Sequence, residues 1–286
     1  MVNNLDFSQI KMVASDLDGT LVSHGFEVSA RAIKVLKELE DIGFQIILAS
    51  GRPPRSMALI LDMIKLSHPL VLCCNGAVVL DHEKKKIIKS FTIAQEYLFN
   101  LLKKMKDTLG NDIYIGVESG LLFKCEQGYA LKRGPENMNH DYIIIDELEE
   151  FVMEPVEKIV VVHKEWPANQ LDHYLKTVIF NDAVWDRVIH ITYSNPHFIE
   201  ISAVGISKGT TIKSITEEQL GLNSKNLIAF GDMPNDLQML EYAGIGVAME
   251  NALDEVKKIA DHVTLTNEED GVAVVLEKLL EYKKNE

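Results

Sequence analysis

The stretch Met12-Val13-Ala14-Ser15-Asp16-Leu17-Asp18-Gly19-Thr20-Leu21 decides how this chain is read. Met12 to Ala14 form a short apolar run, as a buried strand requires, and Gly19 breaks it. Asp16 and Asp18 therefore stand at or just beyond the C-terminal end of a strand, the edge at which open α/β sheets bind ligands. Two carboxylates at i and i+2 on such an edge suit metal-assisted phosphoryl transfer. Aspartates also cap loops and helices, so the pair has a structural reading too.

Working outward, the pattern alternates between strand and helix. Ser29 can cap a helix carrying Ala32, Ile33, Leu36 and Leu39 at helical spacing, which Gly43 ends. Phe44 to Ala49 reads as a second buried strand, closed by Ser50-Gly51-Arg52-Pro53, and Pro69 to Cys74 as a third. The same alternation returns late: a helix over about 208–219, a strand at Leu227 to Phe230, the loop Gly231 to Asp236, then Ile245 to Ala248 and a terminal helix from about Asp270. Between these halves Ile113 to Val117, Leu121 to Lys124, Tyr142 to Ile145 and Lys158 to Val162 are strand-like, with helical segments near 94–108 and 167–179. The expectation is an α/β fold with a doubly wound, mainly parallel sheet formed by 1–81 and 192–286, and an inserted α+β cap over 82–191. Phe198 to Ser202 is assigned to the first sheet. The Lys84 to Lys86 run is read as a solvated turn.

Composition bounds the function. The 286 residues are 47% hydrophobic, ample for a buried core, and carry a formal net charge of −14. That charge opposes general nucleic-acid or anionic-membrane binding, and an anionic substrate would need local cations. Three cysteines form no CxxC pattern and no disulfide framework, no apolar run approaches a membrane span, and the nine histidines offer no short-spaced zinc pair. A cytoplasmic protein without nucleic-acid or membrane partners is expected.

Four segments should meet at one sheet edge: Asp16 to Thr20, Ser50 to Arg52, Lys208, and Gly231 to Asp236. Together they supply a nucleophile (Asp16), an acid/base (Asp18), donors for phosphoryl oxygens and a cation site. Ser50 and Gly51 can face an anion at a helix N-terminus, or Ser50 can simply be an N-cap. Lys208 opens a helix, where its charge opposes the dipole, a mismatch that suits neutralising a phosphoryl group. Asp232, Asn235 and Asp236 offer hard oxygen ligands for Mg²⁺, with structural capping by Asp232 and Asn235 as the alternative.

These segments, as DLDGTL (16–21), SGRP (50–53), NGA (75–77), SKG (207–209), GDMPNDLQML (231–240), NA (251–252) and EEDGVA (268–273), resemble the haloacid-dehalogenase-like phosphohydrolases, in the Cof-type branch with a type-IIB cap. The resemblance implies Mg²⁺ held by Asp16, the Asp18 main-chain carbonyl and Asp232, with Asp236 in support. Phosphate would contact Leu17 through its backbone, Ser50, Gly51, Lys208 and Asn235, and Arg52 and Asn75 would lie where core meets cap. Asp18 further implies a phosphatase or mutase. The leading reading is a Mg²⁺-dependent phosphatase of small phosphorylated metabolites, sugar phosphates first, with pyridoxal phosphate or flavin mononucleotide behind them. A phosphohexomutase and a non-catalytic phosphate sensor are the rivals. Glu118, Lys132, Arg133 and His197 are candidates for cap residues that select the substrate, each with a plain surface reading beside it.

Overall fold

A computed structural model describes residues 5–81, 86–134 and 142–286. The chain begins with β1 (Met12–Asp16), α1 (Ala30–Asp41), β2 (Gln45–Ala49), α2 (Pro54–Ile64), β3 (Leu70–Cys73), β4 (Val78–Asp81) and β5 (Lys86–Ser90). There follow α3 (Gln95–Leu109), β6 (Ile113–Ser119), β7 (Leu122–Cys125), α4 (Gln127–Arg133), β8 (Ile143–Ile144), α5 (Leu148–Phe151), β9 (Lys158–His163), α6 (Ala168–Tyr174), β10 (Ile189–Asn195) and β11 (Phe198–Ala203). The chain closes with α7 (Lys208–Ser214), β12 (Leu227–Gly231), α8 (Leu237–Tyr242), β13 (Ile245–Ala248), α9 (Asp254–Ile259), β14 (His262–Val263) and α10 (Gly271–Lys284).

Eight strands form the first sheet in the order β14-β13-β12-β1-β2-β3-β4-β5. From β14 to β3 the pairings are parallel; β4 and β5 add antiparallel pairs at the edge. All five residues of β1 are buried, as expected for a strand covered on both faces. From β1 the chain steps through β2 to β3, and from β12 it steps the opposite way through β13 to β14. Right-handed crossovers running in opposite directions put α1 and α2 on one face and α8 and α9 on the other. The switch in direction lies between β1 and β12, and registers pairing Ser15 with Phe230 and Asp16 with Ala49 bring the ends of these strands level.

The second sheet has six strands in the order β10-β11-β9-β6-β7-β8, antiparallel except for β7 with β8. Its residues alternate with period two. Ile113, Ile115, Val117, Ile159, Val161, Ile199 and Ile201 face a core shared with Leu98, Leu102, Leu171 and Leu175 of the helices. The alternate positions, Glu118, Lys158, Val160, Phe198 and Glu200, line the other face.

Two expectations need correction here. Phe198 to Ser202 belongs to the second sheet, as β11 between β10 and β9, and β5, placed beyond 82, extends the first. A short apolar alternating strand fits either sheet; β11 goes to the second because a two-residue turn at Pro196 and His197 pairs it with β10. The second layer therefore runs from α3 to β11, beyond the expected end at 191, and the chain crosses between layers at 91–94 and 204–207. The expected boundary at 82, and Lys84 and Lys85 of the lysine run, fall outside the described residues.

Candidate active site

At the C-terminal ends of β1 and β12, beside α7, the structure gathers Asp16, Asp232, Asp236 and Lys208. Lys208 is fully buried; its ammonium donates to Asp16 Oδ1 and, at 2.6 Å, to Asp236 Oδ1. The helix start that makes this lysine electrostatically odd is locally sound. Ser207 caps α7 by accepting from the Thr210 N–H at 3.1 Å, leaving Lys208 at the first turn and directed inward. Asp236 Oδ2 accepts from the main-chain N–H groups of Asp232 and Met233 at 3.0 and 3.1 Å, folding the 231–236 loop around its own carboxylate. Thr20 Oγ1 donates to Asp232 Oδ1 at 3.2 Å. Gly19 adopts φ +84°, and a Cβ there would lie 2.4 Å from Asp232 Oδ2, so only glycine lets the two strand ends converge this closely.

The carboxyl oxygens of Asp16, Asp232 and Asp236 lie within 4.8 Å of one another and all three residues are buried. Burial pushes the Asp16 carboxyl well above its ordinary range; Lys208 offsets part of this, while Asp236 and Asp232 add to it. Burial likewise pushes Asp232 up to about 7, with the Asp236 charge the next contributor. Burial works against the Lys208 charge, but Asp16 and Asp236 outweigh it and the ammonium is held above the usual lysine range. One ammonium thus faces three clustered acids, and hard oxygen donors so placed fit a divalent cation of the Mg²⁺ type.

Asp18 is arranged differently. Its carboxylate turns to Arg52, which donates Nε to Oδ2 at 2.7 Å and a second guanidinium nitrogen to Oδ1 at 2.5 Å, with Arg52 also stacked over Phe26 at 5.6 Å. Ser50 is buried and its hydroxyl accepts from the Arg52 N–H at 3.1 Å. Pro53, not Ser50, occupies the N-cap of α2, so the capping alternative for Ser50 does not hold. Asn75, at φ +56°, donates its N–H to the Ser50 carbonyl at 3.0 Å and accepts from Asn235 Nδ2 at 2.9 Å. Leu17 is buried beneath the two aspartates, its carbonyl accepting from the Thr20 and Val22 N–H groups.

The loops face the second sheet across a cavity of about 500 Å³ lined by Asp16, Asp18, Gly51, Arg52, Asp232 and Asn235 on one side and Glu118, Lys158, Ser194, His197 and Glu200 on the other. Of the four cap candidates, Glu118, Arg133 and His197 line this cavity, whereas Lys132 is exposed and donates to the Lys164 carbonyl at 2.6 Å. Glu118 pairs with Arg55 of α2, one guanidinium nitrogen lying 3.0 Å from Oε1. Arg55, Lys158, Ser194 and Glu200 were not singled out from sequence. Glu200 is a charged residue inside an otherwise apolar strand, FIEIS, and that mismatch is the signal that marks it, whereas Lys158 opens β9 directly after Glu157 and carries no such signal. Around the cavity Arg55 Nε, Glu200 Oε2 and Asn235 Oδ1 are buried without a hydrogen-bond partner among the described residues.

The model of the haloacid dehalogenase-like hydrolase family matches residues 13–276. The chain is 31% identical over 281 residues to the 5-amino-6-(5-phospho-D-ribitylamino)uracil phosphatase YitU of Bacillus subtilis (strain 168), covering 93% of this chain and 96% of that one. Among solved structures, a haloacid dehalogenase-like hydrolase from Bacteroides thetaiotaomicron aligns with a TM-score of 0.76 at 28% identity, over 94% of this chain and 99% of its own. The HAD subclass IIB sugar phosphatase BT4131 shares the fold, with a TM-score of 0.77 at 23% identity over 94% and 98% of the two chains. With nearly its whole length matched, the chain belongs to the haloacid dehalogenase-like hydrolases, as a Cof-type phosphatase.

Proposed function

We propose that this phosphatase removes phosphate from small polyhydroxylated phosphate esters, sugar phosphates foremost, through an aspartyl-phosphate intermediate and with Mg²⁺. The carrying observation is the Lys208 ammonium bridging Asp16 and Asp236 beside Asp232, at the sheet's switch point. An Asp16 carboxylate oxygen attacks phosphorus, the bond from phosphorus to the leaving oxygen breaks, and Asp18 delivers its proton to that oxygen. Water then attacks the phosphorus of the aspartyl phosphate, Asp18 takes the proton from the water, and inorganic phosphate leaves with Asp16 restored. Asp16, Asp232 and Asp236, with the Asp18 main-chain carbonyl, would hold Mg²⁺, which supplies positive charge against the phosphoryl oxygens. Ser50, Gly51, Lys208, Asn235 and the Leu17 backbone bind the phosphoryl group. Arg52 grips Asp18 by both oxygens, and an arriving phosphate is the competing anion that frees Asp18 for its acid role.

Hydroxyl groups both donate and accept. A polyol chain therefore suits the polar lining of the cavity on the side of the second sheet, Glu118, Ser194 and His197 among it, and the relatives named for ribityl and sugar phosphates are in keeping with that. No helix among the described residues is long and apolar enough to cross a membrane, and the three cysteines are free and buried, which supports a reducing, cytoplasmic setting. The test is hydrolysis of an aryl phosphate in Mg²⁺: Asp16→Asn should lower kcat by at least about 10⁴-fold, and EDTA should stop the wild type. Persistent turnover in Asp16→Asn removes Asp16 as nucleophile.

A further inference from the structure

The second sheet reaches the phosphate loop through one buried ion pair. Lys158 in β9 and Glu200 in β11 have side chains only 4% and 2% exposed and meet at 2.8 Å, as diagonal neighbours on adjacent strands. The same ammonium donates at 2.5 Å to the main-chain carbonyl of Gly51, which belongs to the other layer. Burial pushes Lys158 towards its neutral form, but Glu200 overrides it and the group stays charged. Burial pushes the Glu200 carboxyl up, but the Lys158 ammonium outweighs it, with Ser194 and Asn75 adding to the effect, and the group is held below the usual carboxylate range. A Cβ on Gly51 would lie 2.9 Å from both Glu200 Oε1 and Ser194 Oγ, so the layers touch here backbone to side chain.

The peptide unit between Gly51 and Arg52 is planar, with its C=O and N–H pointing opposite ways. Its carbonyl receives Lys158, and its N–H donates to Ser50 Oγ at 3.1 Å. We propose that Lys158, anchored by Glu200, is a positioning residue for phosphate binding: by fixing the Gly51 carbonyl from the second layer it orients the Arg52 N–H and hence the Ser50 hydroxyl. The proposal rests on the phosphatase reading of the core site. It gives the second layer a task separate from selecting the leaving group, because the site is complete only when β9 sits on the loop.

A double variant, Lys158→Met with Glu200→Met, replaces the pair by apolar chains of similar length, a change buried ion pairs often tolerate. Wild type and variant are compared by thermal melting and by kcat/KM for p-nitrophenyl phosphate and a hexose 6-phosphate in Mg²⁺, each with and without Ser50→Ala. The expected result is a folded variant whose kcat/KM falls by the same factor, about 10- to 100-fold, on both substrates, with Ser50→Ala adding little further loss. Unchanged kcat/KM, a loss confined to the hexose phosphate, or full additivity with Ser50→Ala would each overturn the proposal. Should the double variant unfold, Glu200→Gln keeps the shape while loosening the ammonium, and about a 3-fold drop common to both substrates is expected; no drop overturns the idea. A wild type inactive on both esters would instead sink the phosphatase reading itself.

Discussion

Asp16, Lys208 and Asp232 stand on three segments that the parallel sheet delivers to a single edge, whereas Glu118, Lys158 and Glu200 stand within neighbouring antiparallel strands. The first group follows strand ends, a helix start and glycine turns, so the order of the parallel strands brings it together. The second depends on register, since shifting a strand by one residue would turn each of its charges to the helix-covered face. The charge balance differs as well. At the edge one ammonium serves three acids, and burial leaves Asp16 and Asp232 pushed up; on the sheet face Lys158 and Glu200 neutralise each other. An excess of buried acid is a site waiting for cations, while a matched pair is a fastening.

Lys208→Met is the most severe way to test that difference. Removing the ammonium that touches Asp16 should lower kcat on any phosphate ester by about 10³-fold, and a variant within a few-fold of wild type would make Lys208 an ordinary structural lysine. Gly51→Ala attacks the meeting point of the two regions: its Cβ would lie 2.9 Å from Glu200 Oε1 and Ser194 Oγ, so those side-chain ends must shift and disturb the pair with Lys158. A stability loss of about 1–3 kcal/mol in denaturant melts, with kcat/KM lowered at least about 10-fold, is expected, and a neutral outcome would show the contact to be loose.

The smallest expected effect reads the excess acid directly. Asp232 titrates at about 7 when folded against 3.8 as its ordinary value. Between those limits the folded state binds the extra proton, so the metal-free protein is favoured at the low end and loses stability as pH rises towards about 7. Mg²⁺ needs the ionised carboxylates, so its stabilisation should be larger at pH 7.5 than at pH 5, by a few °C in Tm or about 1 kcal/mol. An equal shift at both pH values would place the cation elsewhere.

The edge was legible in sequence because its residues are local signals: DLDGT, SGR, SKG and GDMPND each pair a chemical group with a turn that ends or opens an element. The helix capped by Ser29 and closed by Gly43 was equally plain, with Ser29 accepting from the Ala32 N–H at 3.0 Å. What sequence could not deliver was membership. Phe198 to Ser202 alternates as any half-buried strand does, and only its pairing with β10 and β9 assigns it to the second sheet. With that strand misplaced, Glu200 could not be brought next to Lys158, nor either of them next to Gly51. Arg52 was expected near the substrate, but its grip on Asp18 spans 34 positions of chain and leaves no local pattern.

The register that joins β1 to β12 also orders events during synthesis. Met12 pairs with Leu227 and Ser15 with Phe230, so the first strand made waits for more than two hundred further residues before its central neighbour exists. The second sheet is contiguous, and every strand it needs has left the ribosome once Ala203 has emerged. On a vectorially growing chain the second layer can therefore form before the sheet edge it faces, and the acid cluster is complete only when the loop ending in Asp236 closes the older half of the molecule.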